Sequence, residues 1–325
     1  MWMALEVILL HRMSWKGYDN LIFRFLKNCE LFSVPVFMII AFYLSAKTIE
    51  EQDPEKVRNR FIRLIIPQVG WAIICWTVYV LTDIIFMHKL SHTLLDLLIA
   101  IISGCRQDTN PSTWFQCVLI ILTAIYCLVF KLCKRETAWK CVYASFVVAL
   151  LIQASGFYFD FFADKPYEIM NTIGRIFEVM PFASVGMILR HINVYEKLKD
   201  KRSIVIVASL VLFIIGFYIP FPQFKGFFEG LYPIYMGIML FIFFLFLPLE
   251  DVTDKSRSII LQVTRYTLGI YCAHRLVYGI MEIIYELLGL NIPNFSRCLL
   301  TYLACYIMSF VFTLLPGSFF RKMVD

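Results

Sequence analysis

Apolar runs of membrane-crossing length, parted by short polar gaps, fill this chain almost end to end and leave little that could fold in water. A helix needs about 20 apolar residues to cross the hydrocarbon core of a bilayer. Runs of about that length fall at 29–47, 61–87, 113–132, 140–159, 174–190, 203–221, 228–248, 259–287 and 297–319. A tenth, the opening stretch Met1 to Met13, is too short to cross unaided. Each gap is polar or marked by Pro or Gly, because in hydrocarbon every backbone polar group must be bonded inside its own helix. With 60% of residues apolar or aromatic, a soluble domain is excluded. The pattern predicts an all-α polytopic membrane protein: about ten transmembrane helices in one bundle, a single domain over 1–325.

The net charge of +6 resembles that of a nucleic-acid binder, but its distribution argues for orientation instead. Loops near 47–63, 131–140, 190–202 and 249–258, with the C-terminal tail, carry 18 Lys and Arg, whereas the alternate gaps carry 10. Basic residues accumulate on the cytoplasmic side, so the first set and both termini are expected in the cytoplasm. The bilayer is the partner this predicts, and nucleic acid is not one. Ten cysteines show no zinc-type or disulfide spacing, and neither a metal nor a structural disulfide is expected. The opening residues lack the basic region and cleavage site of a signal peptide. Two further stretches read as surface or re-entrant helices: the amphipathic Trp15–Lys27 and the short apolar Leu94–Ile102.

Three groups of residues have chemistry beyond packing. Arg58, Arg60 and Arg63 cluster at the cytoplasmic mouth of the third span, with Arg60 and Arg63 three apart on one helix face. Their planar forks suit phosphate oxygens, and they suit anionic lipid headgroups equally well. His11 closes the first short run, Val7-Ile8-Leu9-Leu10-His11, where it is either an interfacial residue or a general base. Thr267, Tyr271, His274, Tyr278 and Glu282 recur at helical spacing and draw a polar stripe along one span. Such a stripe faces either a cavity or a partner helix. Arg175 and Glu178, three apart, are placed to neutralise each other.

At these residues the chain resembles the acyltransferase-3 family of integral-membrane O-acyltransferases along nearly its whole length. The resemblance runs through the histidine closing the first span, Ser33-Val34-Pro35-Val36-Phe37 opening the second, and Arg60-x-x-Arg63-Leu64-x-x-Pro67 opening the third. It continues through Thr113-Trp114-Phe115, Met180-Pro181-Phe182-x-x-x-Gly186-Met187 and Tyr266-Thr267-Leu268-Gly269-Ile270-Tyr271-x-x-His274. Two departures stand out. Ala41-Phe42 occupies the place of the usual Ser-Gly pair, and the bulk of Phe42 predicts looser packing of that span. The basic residue usual eleven positions before the histidine would fall ahead of Met1. Together with the short first span, this predicts a reading frame that extends upstream.

The resemblance implies transfer of an acyl group, acetyl above all, from acetyl-CoA to a hydroxyl of a cell-envelope glycan or lipid-linked sugar. It implies that Arg58, Arg60 and Arg63 meet the CoA phosphates, and that His11 serves as general base with His274 as the second candidate. Trp114, Tyr271, Arg175 and Glu178 are then candidates for holding substrate, in a cytoplasmic-membrane enzyme that acts in polysaccharide O-acetylation. Two other classes fit the same polar groups: a polysaccharide or lipid transporter or flippase, and a non-catalytic membrane partner in glycan assembly. No inverted repeat supports the transporter.

Overall fold

The polar gaps set the helix boundaries through identifiable caps. A computed structural model of the chain describes residues 32–104, 113–154, 168–218, 227–248 and 265–324, together with Leu5, Ile8, Leu9, Thr253, Asp254, Ser258 and Leu261. Among these residues the structure is all-helical, without a strand. In chain order the helices are α1 (Ser33–Glu51), α2 (Pro54–Thr82), α3 (Leu94–Ser103), α4 (Trp114–Leu132), α5 (Arg135–Ala154), α6 (Glu168–His191), α7 (Val194–Leu198), α8 (Arg202–Tyr218), α9 (Phe227–Phe246), α10 (Thr267–Leu287), α11 (Asn294–Leu314) and α12 (Ser318–Val324). A π-helical turn, Asp83–Met87, prolongs α2.

The chain turns between α1 and α2 in two residues. Gln52 adopts a left-handed conformation that ends α1, and its N–H returns to the Thr48 carbonyl. Pro54 then starts α2, where its missing N–H costs nothing. Asp53 caps that start, accepting from the backbone N–H groups of Glu55 (3.0 Å) and Lys56 (3.2 Å). These bonds, the Lys56 N–H first, hold the Asp53 carboxyl below its usual range. Thr93 and Asp96 form a reciprocal capping box at the start of α3, which satisfies two N–H groups a helix start leaves bare.

Five described helices are long and apolar enough to cross a membrane: Ser33–Glu51, Pro54–Ile85, Trp114–Leu132, Thr172–His191 and Asn294–Leu314. The short helix expected near 94–102 is α3, and the expected amphipathic stretch 15–27 lies outside the described residues. On α11, Leu299, Leu303, Ile307, Phe310 and Leu314 are exposed along one side. Apolar surface on that scale is untenable in water and suits lipid. The chain is a multi-pass membrane protein.

The residues divide into two compact units, with boundaries inside α2 and α4. The first comprises Met1–Glu30, Arg60–Cys117 and Thr253–Asp325; the second comprises Leu31–Asn59 and Val118–Val252. In the second unit α1 packs against α6, α5 against α6, and α8 against α9. Phe42 is fully buried and meets the Tyr126 ring edge-on, with centroids 5.6 Å apart. The looser packing expected from Phe42 is not found, because the close approach is supplied from the facing helix. A methyl group added at Gly186 of α6 would overlap the Ile39 carbonyl oxygen and lie 2.9 Å from the Tyr43 nitrogen of α1. Buried hydroxyls complete the contact: Tyr126 bonds Ser184 at 2.8 Å and Ser145 at 3.2 Å.

In the first unit α10 packs against α11, and α12 packs against both. Trp71 of α2 stacks on Phe312 of α11 and donates its indole N–H to the Met323 carbonyl of α12 at 3.1 Å. Gly104 ends α3 at a positive φ of 62°, with the backbone of Thr113 and Trp114 so close that an added methyl would meet it at 2.7–2.8 Å. That approach sets where α4 begins, and with it the residues of the candidate site.

Candidate functional site

Arginine placement on α2 follows from helix periodicity. Leu64, Pro67, Trp71 and Cys75 repeat at steps of three or four and are buried, as is Gln68 beside Pro67. Arg60 leads this face and is half-buried, while Arg58 and Arg63 are exposed. The two arginines expected to share a face are therefore neighbours in unlike settings. One enters the protein and the other keeps its fork in the surroundings. Arg60 and Arg63 belong to the first unit, and Arg58 to the second.

Pro67 has no N–H, so the Arg63 carbonyl lacks the donor it would have in a regular helix. Directly beyond, the Leu64 carbonyl accepts from the side chain of Gln116, the third residue of α4, at 2.9 Å. Gln116 is 1% exposed. Gln68 reaches the other way, donating to the carbonyls of Ala100 (3.3 Å) and Ile101 (3.1 Å) on α3. Cys117 also faces α3, within 2.9 Å of the Ile102 carbonyl. Buried amides thus tie the turn that carries Arg63 to both α3 and α4.

Phe115, beside Gln116, packs edge-on against the ring of Tyr271 at 5.3 Å. Tyr271 in turn lies 6.0 Å from the imidazole of His274, ring centre to ring centre. His274 is 1% exposed, and its Nδ1 is 2.5 Å from the Tyr271 carbonyl oxygen. A carbonyl can only accept, so Nδ1 carries the proton, and in the neutral ring Nε2 is the basic nitrogen. Two consecutive residues, Phe115 and Gln116, therefore hold the arginine turn of α2 and the histidine turn of α10 to one short segment.

The remaining candidates have settings of their own. Trp114 is half-buried at the first position of α4, its ring edge-on to Phe115 at 6.1 Å. Tyr278 is buried, whereas Glu282 ends the stripe in an ion pair with Arg297 of α11 at 2.8 Å. That end of the stripe ties helices together. Arg175 and Glu178 pair at 2.6 Å on α6 of the second unit, as their spacing predicts. His11 lies outside the described residues.

Gln68 and Gln116 were not singled out from the sequence. The signal was present: an uncharged amide inside an apolar span finds a bonding partner or faces a ligand. What was missing is the identity of its partners, which are backbone carbonyls and leave no mark in composition.

A family model described as an acyltransferase domain matches residues 4–316. No curated protein and no solved structure matches the chain. The match spans nearly the whole length, and the chain belongs to that acyltransferase family.

Proposed function

Starting from that membership, we propose that the chain is a membrane-embedded O-acyltransferase that moves an acetyl group from cytoplasmic acetyl-CoA to a hydroxyl of a cell-envelope glycan or lipid-linked sugar. It works as one domain of ten spans in the cytoplasmic membrane, with both termini inside. The observation that carries the reading is the shared anchor at Phe115 and Gln116, which keeps the Arg60 and Arg63 forks and a buried imidazole in one compact unit.

In this reading Arg60 and Arg63, with Arg58 beside them, bind the donor's phosphates through charge-assisted hydrogen bonds. The half-buried Arg60 offers the stronger grip, because a fork partly out of water interacts more strongly with an anion. His11 removes the proton from the acceptor hydroxyl as the oxygen attacks the thioester carbonyl. The carbon–sulfur bond breaks, the new ester forms, and the CoA sulfur leaves as thiolate to be protonated. His274, with its basic nitrogen set by the Tyr271 carbonyl, is the second candidate for that base. Trp114 and Tyr271 line the acceptor side in the first unit; Arg175 and Glu178 are a separate substrate-binding candidate within the second.

Release of free CoA thiol from acetyl-CoA by the purified protein in lipid nanodiscs tests the reading. Turnover that depends on Arg60 and Arg63 is expected. Intact thioester in the presence of envelope glycan extract would overturn it in favour of a transporter or a non-catalytic partner.

A further inference from the structure

Gln68 lies on the buried face of α2 that Arg60 leads, and is 2% exposed. Its amide nitrogen donates to two backbone carbonyls, those of Ala100 and Ile101. Those carbonyls fix which corner of the amide is nitrogen, since the flipped group would set oxygen against two oxygens. The other corner, Oε1, is buried and has no hydrogen-bond partner among the described residues. Buried polar atoms are nearly always paired, and one left bare costs free energy that an apolar side chain of the same length would avoid. Tethering α3 needs only the nitrogen. The oxygen bonds to nothing among the described residues.

Its depth suggests a use. Gln68 follows Arg63 and Arg60 by five and eight residues, about 7.5 and 12 Å along the axis at about 1.5 Å per residue. An acyl-CoA held by its phosphates at those arginines would extend its arm in this direction, and the arm carries two amide N–H groups before the thioester. They follow the diphosphate by roughly 6 and 10 Å of extended chain, at about 3.5 Å per three backbone bonds. We propose that Gln68 Oε1 accepts a hydrogen bond from an amide N–H of the donor's arm, which makes Gln68 a donor-binding residue. The proposal rests on the acyl-CoA reading above.

The test is a binding titration with two probes: CoA, and the phosphorylated adenosine nucleotide of CoA without its arm. Gln68→Met is expected to weaken CoA by about 3- to 10-fold, the loss of one neutral hydrogen bond, and to leave the nucleotide unchanged. Arg60→Ala should weaken both. A CoA analogue methylated on the arm's amide nitrogens should show the same loss on the wild-type protein, a comparison that needs no variant to fold. Unchanged CoA affinity in Gln68→Met, equal weakening of both probes, or undiminished binding of the methylated analogue would each overturn the assignment. Wild-type protein that binds neither probe would overturn the acyl-CoA reading itself, and this proposal with it.

Discussion

Gln116 offers a graded test of whether a buried amide holds the arginine turn in place. Its Nε2 donates to the Leu64 carbonyl at 2.9 Å in a setting closed to water. Gln116→Met keeps the length of the side chain and removes the bond, at a cost of about 0.5–1.5 kcal/mol. Gln116→Glu keeps the shape but presents oxygen to oxygen. The carboxylate must then accept a proton or stay charged without a counter-ion, at a cost of about 3–5 kcal/mol. The expected order of thermal stability in detergent micelles is wild type, then Met, then Glu. Leu64 directly follows Arg63, so loosening this bond moves the guanidinium fork proposed to hold the donor's phosphates. The KM for acetyl-CoA should rise about 3- to 10-fold in Gln116→Met, with kcat changing less, as loss of uniform binding requires. Gln116→Glu protein that unfolds at the wild-type temperature with an unaltered KM would refute the reasoning.

Arg60→Ala should weaken acetyl-CoA by about 10- to 100-fold, the loss of a charge-assisted contact, and Arg60→Lys should recover only part, because an ammonium cannot reproduce the fork; equilibrium binding checks both. His11→Ala should cut turnover by about 10²–10⁴-fold with CoA binding retained; loss in His274→Ala with near-normal turnover in His11→Ala would move the base to α10. Gly186→Ala should lower stability by about 1–3 kcal/mol, because its methyl would meet the α1 backbone. Gly279→Ala, with no atom of the described residues within 4 Å of the added methyl, should raise it by about 0.4–1 kcal/mol, and thermal unfolding of the pair separates the two. Labelling of a cysteine placed at Lys197 should come only from the cytoplasmic side, and labelling from outside would invert the orientation.

Helices were legible in this sequence because hydrocarbon imposes one rule on every span. The runs at 113–132 and 203–221 correspond to α4 and α8 within a few residues at each end. Their ends were less legible because they depend on caps: α2 begins at Pro54, seven residues before the apolar run, since Asp53 and Pro54 start a helix whatever its hydropathy. The arginines were legible as charges, but their burial was not, since a spacing of three does not say which of two neighbouring rows meets the protein. Phe42 misled for a related reason: the close approach of the two helices is made at Gly186 of the facing helix, distant in sequence. Gln68 and Gln116 bond to main-chain carbonyls, and only the folded chain shows which.

The proposed activity comes down to one bond, made between an acetyl carbon and a sugar oxygen. Membranes holding the wild-type chain, supplied with acetyl-labelled CoA on the cytoplasmic side, should place label in an ester of an envelope glycan or lipid-linked sugar. Mild base should release it as acetate, and the Arg60→Ala/Arg63→Ala variant should lose the incorporation. Label that stays on CoA, or that reaches the glycan equally without the two arginines, would contradict the account.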